Sequence, residues 1–205
     1  MFDPVRIVAG VAAPLELANV DTDVIIRIER LTAGDPAQIG HWAFEALRYL
    51  PDGTENTDFV LNAASFRNAP ILIAGPNFGC GSSREAAVTA LQGAGIRCVI
   101  SASFGDIFYA NCFQNGLLPI RLPEASVLVL METARIPSLF EVDLERCEVR
   151  SPDVPALRFE IDAQRRDALL AGLDDIGLTL RDGDVIQAWQ IDDRSRRPWI
   201  WGVQK

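Results

Sequence analysis

The sequence predicts an α/β fold with parallel strand pairing, from the order of its segments, in a chain of globular composition. Between residues 71 and 120, short apolar runs alternate with glycine-rich loops and helical stretches, the order of a strand–loop–helix layer. The composition is that of a soluble globular chain, 49% hydrophobic and 23% charged. Its 205 residues suffice for one domain, or one domain with an appendage.

Taken in order, residues 6–9 and 24–26 read as short strands around an Asn19-Val20-Asp21-Thr22-Asp23 turn. Glycine, aspartate and proline make 31–40 a loop. Residues 41–50 read as a helix closed by Pro51-Asp52-Gly53. The middle third gives a buried strand at 71–74, a glycine-rich loop at 76–83 and a helix at 84–91. A strand at 97–100, a helix at 106–113 stopped by Asn115-Gly116 and a strand at 117–120 follow. Near the end, 157–161 reads as a strand, 163–171 as a helix ended by Gly172, and 185–189 as another strand. The whole is expected to be one compact domain, with a core over about residues 1–130 and a C-terminal extension over about 131–205.

Charge and composition exclude several functions. A net charge of -9 disfavours a general nucleic-acid surface, which needs a concentrated positive face. Lys205 is the only lysine, so internal Schiff-base, pyridoxal phosphate and P-loop lysine chemistry are ruled out. An anionic substrate would be held by arginines, whose planar fork grips carboxylates with two hydrogen bonds. Cys80, Cys98, Cys112 and Cys147 form no C-x-x-C pair, and His41 is the sole histidine. No metal or cofactor is therefore expected on this chain, and its thiols read as reduced. No apolar run reaches the roughly 18 residues of a membrane span, and the start lacks a signal-peptide pattern. The expectation is a cytoplasmic protein without membrane contact.

The chemical centre is Asn77-Phe78-Gly79-Cys80-Gly81-Ser82-Ser83-Arg84-Glu85. Glycines let the backbone approach a ligand, serines stand at a helix start, and Arg84 adds fixed charge. Together they suit a carboxylate or phosphate. A P-loop, a dinucleotide fingerprint and a serine-hydrolase elbow all fail on spacing. A plain alternative also fits this segment, in which Ser82 or Ser83 only caps the helix.

This run resembles the active-site loop of the aconitase swivel domain. Asn19-Val20-Asp21-Thr22-Asp23 resembles another segment of that family, as do Ser103-Phe104-Gly105-Asp106-Ile107-Phe108 and Asn111-Cys112-Phe113-Gln114-Asn115-Gly116-Leu117-Leu118-Pro119. The stretch from Leu169-Leu170-Ala171-Gly172 to Leu178-Thr179-Leu180 is similar to the small subunits of bacterial isopropylmalate isomerases in particular. The resemblance implies a single aconitase-type swivelling β/β/α domain that acts with a large subunit. That partner carries a [4Fe-4S] cluster whose open iron acts as a Lewis acid. The implied substrate is a small dicarboxylic hydroxy acid, dehydrated and rehydrated in leucine biosynthesis. By motif position Ser82 is the base, Gly81, Ser83 and Arg84 bind substrate, and Asp21, Thr22 and Asp23 support the cleft. Cys80 fills the loop.

Two departures bear on the substrate. Ala86 stands where the family usually has histidine. The segment Arg27-Ile28-Glu29-Arg30-Leu31 replaces the family's Pro-x-x-[Phe/Tyr]-Leu. That segment is expected to read the group on the substrate's third carbon, and Arg30 replaces the aromatic. A charged reader there would favour a smaller or more polar acid, so the alternative is a paralogous hydratase of 2-methylmalate or citraconate. A non-enzymatic reading is an anion-binding module that kept the loop.

Overall fold

The N-terminal strand β1 (Ile7–Leu15) joins two kinds of pairing. Its first half, Ile7 to Val11, pairs antiparallel with β5 (Leu139–Asp143). Its second half, Ala12 to Leu15, pairs parallel with β2 (Ile71–Ala74). The computed structural model describes residues 1–33 and 36–202. With β3 (Cys98–Ser101), β4 (Leu118–Arg121), β6 (Glu148–Ser151) and β7 (Val154–Arg158), these strands make one seven-stranded sheet. Its order is β4-β3-β2-β1-β5-β6-β7. The β1 to β4 side is parallel, and the β5 to β7 side is antiparallel. The α/β expectation holds.

The parallel strands are apolar apart from Ser101 and the exposed end residue Arg121, because both faces are covered. In β2, Leu72 and Ala74 enter one core, with helices α4 (Glu85–Gly93) and α5 (Asp106–Asn115). Ile71 and Ile73 enter the opposite core, with α6 (Glu124–Ala134), β5, β6 and Leu169 of α7 (Ala163–Ala171). The two-residue period of a strand thus assigns one apolar run to two cores. Gly116 and Gly172 end α5 and α7 in the left-handed conformation, as the sequence predicts.

Other expectations change. Residues 24–26 are not a strand: Thr22–Ile25 forms a short helix, α1. Asp21 caps it, accepting the Val24 N–H at 2.8 Å, and this local bond outweighs β propensity. Within the expected 31–40 loop, residues 34–35 lie outside the described residues. The flanks are helical: α2 (Ile28–Ala33) and a 3-10 segment, Pro36–Trp42. The 41–50 helix shrinks to α3 (Glu45–Arg48). Residues 185–189 are helical too, inside α9 (Gly183–Arg196) between α8 (Asp175–Leu180) and α10 (Pro198–Trp201). There Arg196 pairs with Asp192 and Arg197 with Asp193 at i,i+4 spacing, which favours a helix. Among the described residues, no helix is long and apolar enough to cross a membrane.

Ile73 is wholly buried in a central strand. Ile73→Ala is expected to cost about 2–5 kcal/mol of stability. Urea unfolding checks this, as a lowered midpoint with an unchanged slope.

Candidate active site

Ligands of parallel sheets gather at the carboxyl ends of the strands, where the loops after β1, β2 and β3 meet here. In the loop after β2, Asn77 is left-handed at φ 59°. Its N–H donates to Ser103 Oγ at 2.8 Å, and its side chain donates to Asn19 Oδ1 at 2.9 Å. Phe78 N–H donates to the Ser103 carbonyl at 3.0 Å, and Gly105 N–H to the Phe78 carbonyl at 2.9 Å. Phe78 itself is buried, edge-on to Phe104 and Phe108. Gly79 is obligatory twice over: its φ is +70°, and a Cβ there would lie 2.2 Å from the Phe108 ring.

The segment after β1 clamps the same loop. Gly79 N–H donates to the Val20 carbonyl at 2.7 Å, and Thr22 N–H to the Cys80 carbonyl at 3.0 Å. The buried Thr22 hydroxyl donates to the Ser82 carbonyl at 3.0 Å. Asp21, Thr22 and Asp23 therefore hold three separate posts. Asp21 caps α1, Thr22 braces Ser82, and Asp23 forms an ion pair with Arg84.

Gly81, Ser82 and Ser83 stand exposed just before α4. The plain capping alternative does not hold. Arg84 occupies the cap position, with φ -136° and ψ 100°, and its side chain makes no capping bond. The serines are thus left unengaged by capping at the positive end of α4. The Arg84 side chain is only 14% exposed, while its partner Asp23 is 55% exposed. The Arg84 Nη1 atom is buried and touches the Asp23 carboxylate without an aligned hydrogen bond. A cavity of about 460 Å³ is lined by Met1, Phe2, Glu85, Asn115 and Asp174 among others, and takes in neither serine. The serines face open space.

The charges of the Arg27–Leu31 segment, expected to read the group on the substrate's third carbon, are paired within the chain. Arg27 lies 3.8 Å from Glu29, both exposed. Ile28 is exposed, and Leu31 packs partly buried against the core. Arg30 turns to Glu45 and lies over the Trp42 ring, so its charge is met within the chain. Sequence does not single out Glu45, and it marks Ser103 only as part of a block that resembles the family. Their partners lie 15 and 26 residues away, and no local pattern marks such pairs.

The cysteines do not fit an iron–sulfur cluster. Cys98 and Cys112 are buried, and burial pushes both thiols well up, away from the thiolate that a metal needs. Cys80 and Cys147 are half-buried. Among the described residues, no group of three His, Cys, Asp or Glu side chains is placed to hold a metal.

Comparison with known proteins gives concordant matches. Residues 3–125 match the aconitase C-terminal domain. Residues 175–202 match the C-terminal domain of the 3-isopropylmalate dehydratase small subunit. The 3-isopropylmalate dehydratase small subunit of Nitrobacter winogradskyi is 49% identical over 202 residues, 98% of this chain and 100% of that one. That of Afipia carboxidovorans is 50% identical over 196 residues, 95% and 98% of the two chains. The crystal structure of 3-isopropylmalate dehydratase from Methanocaldococcus jannaschii aligns with a TM-score of 0.65 at 28% identity. It covers 90% of this chain and 99% of that one.

Treated anaerobically with iron and sulfide, the isolated chain is expected to stay colourless. Visible absorbance of a cluster retained through gel filtration would contradict the cysteine placement described above.

Proposed function

The chain belongs to the family of 3-isopropylmalate dehydratase small subunits, hydro-lyase components of the aconitase superfamily, and on that premise we propose how its residues act. With a large subunit it interconverts 2-isopropylmalate and 3-isopropylmalate by dehydration and rehydration, a step of leucine biosynthesis in the cytoplasm. One observation carries the substrate: relatives of that name match about half of the residues from end to end. The [4Fe-4S] cluster belongs to the large subunit, and no step assigned to this chain runs through it.

Ser82 is the base that takes the proton beside a substrate carboxylate. A serine hydroxyl is a very weak acid, so its ionised form needs strong local support. The positive end of α4 and the Arg84 guanidinium supply it, and the Thr22 bond fixes the Ser82 backbone. Arg84 grips a substrate carboxylate, with Ser83 and the Gly81 backbone beside it. Asp23 holds the guanidinium until substrate arrives, then yields to the incoming carboxylate. Asp21 keeps α1, and so Thr22 and Asp23, in register with the loop. The Arg27–Leu31 segment meets the branch on the third carbon. The exposed serines suit a half-site whose other wall is the large subunit.

Reconstituted with its large subunit, the enzyme is expected to prefer isopropylmalate to 2-methylmalate. The reverse preference in a substrate panel would make it a methylmalate hydratase instead. Ser82→Ala is expected to lower kcat by about 10²–10⁴-fold or more, the usual worth of a positioned base. Gel filtration should show the two subunits still associated. Arg84→Lys should fall with Arg84→Ala, each losing about 2–4 kcal/mol of transition-state stabilisation on every accepted acid. Recovery of most of kcat/KM by lysine would reduce Arg84 to a point charge.

A further inference from the structure

Helix α2 is short and lies two residues beyond α1, whose first residues clamp the serine loop. Of the residues 28–32, Ile28, Glu29 and Thr32 are exposed, and only Arg30 and Leu31 turn toward the body. Leu31 packs partly buried against the core. Arg30 is held on three sides. Its Nε donates to Glu45 Oε2 at 2.8 Å, its Nη2 meets Glu45 Oε1, and its guanidinium lies 3.8 Å from the centre of the Trp42 ring. This is a two-pronged carboxylate grip with an aromatic floor.

The holder is itself fixed. Glu45 opens α3, directly after Phe44, which is fully buried and left-handed at φ 59°. Phe44 N–H donates to the Ile25 carbonyl at 2.9 Å, tying the start of α3 to the end of α1. The Glu45 side chain is only 16% exposed, against 38% for Arg30. The hydrogen bonds from Arg30 hold the Glu45 carboxyl below the usual carboxylate range, so it stays ionised at neutral pH.

We infer that Glu45 and Trp42 are positioning residues that clasp Arg30, hide its charge from the substrate and fix α2 so that Ile28 is the apolar side chain presented outward. The inference rests on the proposed role of the Arg27–Leu31 segment. It makes Arg30 a structural tether and removes the reason that Arg30 gives to expect a more polar acid.

Two readouts separate the clasp from the substrate assignment. The first is hydrogen exchange over residues 28–33 in the full chain. The second is KM and kcat for 2-isopropylmalate in the reconstituted two-subunit enzyme. Glu45→Gln is expected to speed exchange there, and to raise KM about tenfold, the factor that about 1.4 kcal/mol makes, with kcat within about twofold. The charge swap Arg30→Glu with Glu45→Arg is expected to bring both readouts back toward the parent enzyme. Unchanged exchange in Glu45→Gln overturns the clasp. Faster exchange with unchanged KM overturns the positioning role, leaving a local tether only. If Glu45→Gln does not fold, Trp42→Leu, which removes the aromatic floor and keeps the ion pair, is judged by the same two criteria. If the parent enzyme ignores isopropylmalate, the proposed function fails. The KM comparison on the acid that it does turn over then decides the clasp.

Discussion

The site depends on three hydrogen bonds that lay the segment after β1 along the loop after β2. Gly79 N–H to Val20, Thr22 N–H to Cys80 and the Thr22 hydroxyl to Ser82 bind two stretches some 60 residues apart in sequence. Each uses a backbone group of a loop that ordinary secondary structure leaves unpaired, so the clamp satisfies the loop and positions it at once. The parallel pairing of β1 with β2 brings the two stretches together, since both strands deliver their carboxyl ends to the same edge. Gly79 is needed because the Phe108 ring fills the space of a side chain there, which sets the loop down on α5. The serine loop is braced from beneath and exposed above.

That openness has an energetic side. A buried guanidinium without an anion is costly, whereas one paired with a carboxylate is tolerated. Arg84 is largely buried and paired with Asp23, whose own side chain is more than half exposed. The pair is therefore asymmetric, with a fixed cation and an anion at the water boundary. Such an anion is easier to replace than to remove, because replacement by another carboxylate keeps the charge balanced.

The legible part of the sequence was the part where local and tertiary physics agree. Strands β2 to β4 are almost wholly apolar and buried, and helix α5 ends at Gly116, so period and punctuation sufficed there. The helix start at Ser82-Ser83-Arg84 was legible from its motif, though which residue takes the cap was not. Failures came where one local bond or a distant partner decides. Asp21 turned Val24-Ile25 into a helical turn against its β-branched character. The run at 185–189 carries strand-like residues, yet it lies on an exposed helix with Val185 and Trp189 facing outward. Helix α6 and the strands β5 and β6 lie in a stretch that gave no reading, and it is the sheet that assigns their roles.

Arg30 marks the limit of reading a departure from a family pattern as a change of function. In sequence, an arginine in place of an aromatic looks like new charge offered to the ligand. In the fold, Glu45 meets that charge and Trp42 supplies the aromatic surface, from positions 15 and 12 residues further along. A charge whose counter-ion lies within hydrogen-bonding reach projects little field beyond the pair, so the replacement changes how the segment is anchored more than what it presents. The exposed apolar side chain of the segment is Ile28, which no comparison of charges would have selected. A departure becomes a specificity argument only when its side chain is still free after the chain's own partners have been counted.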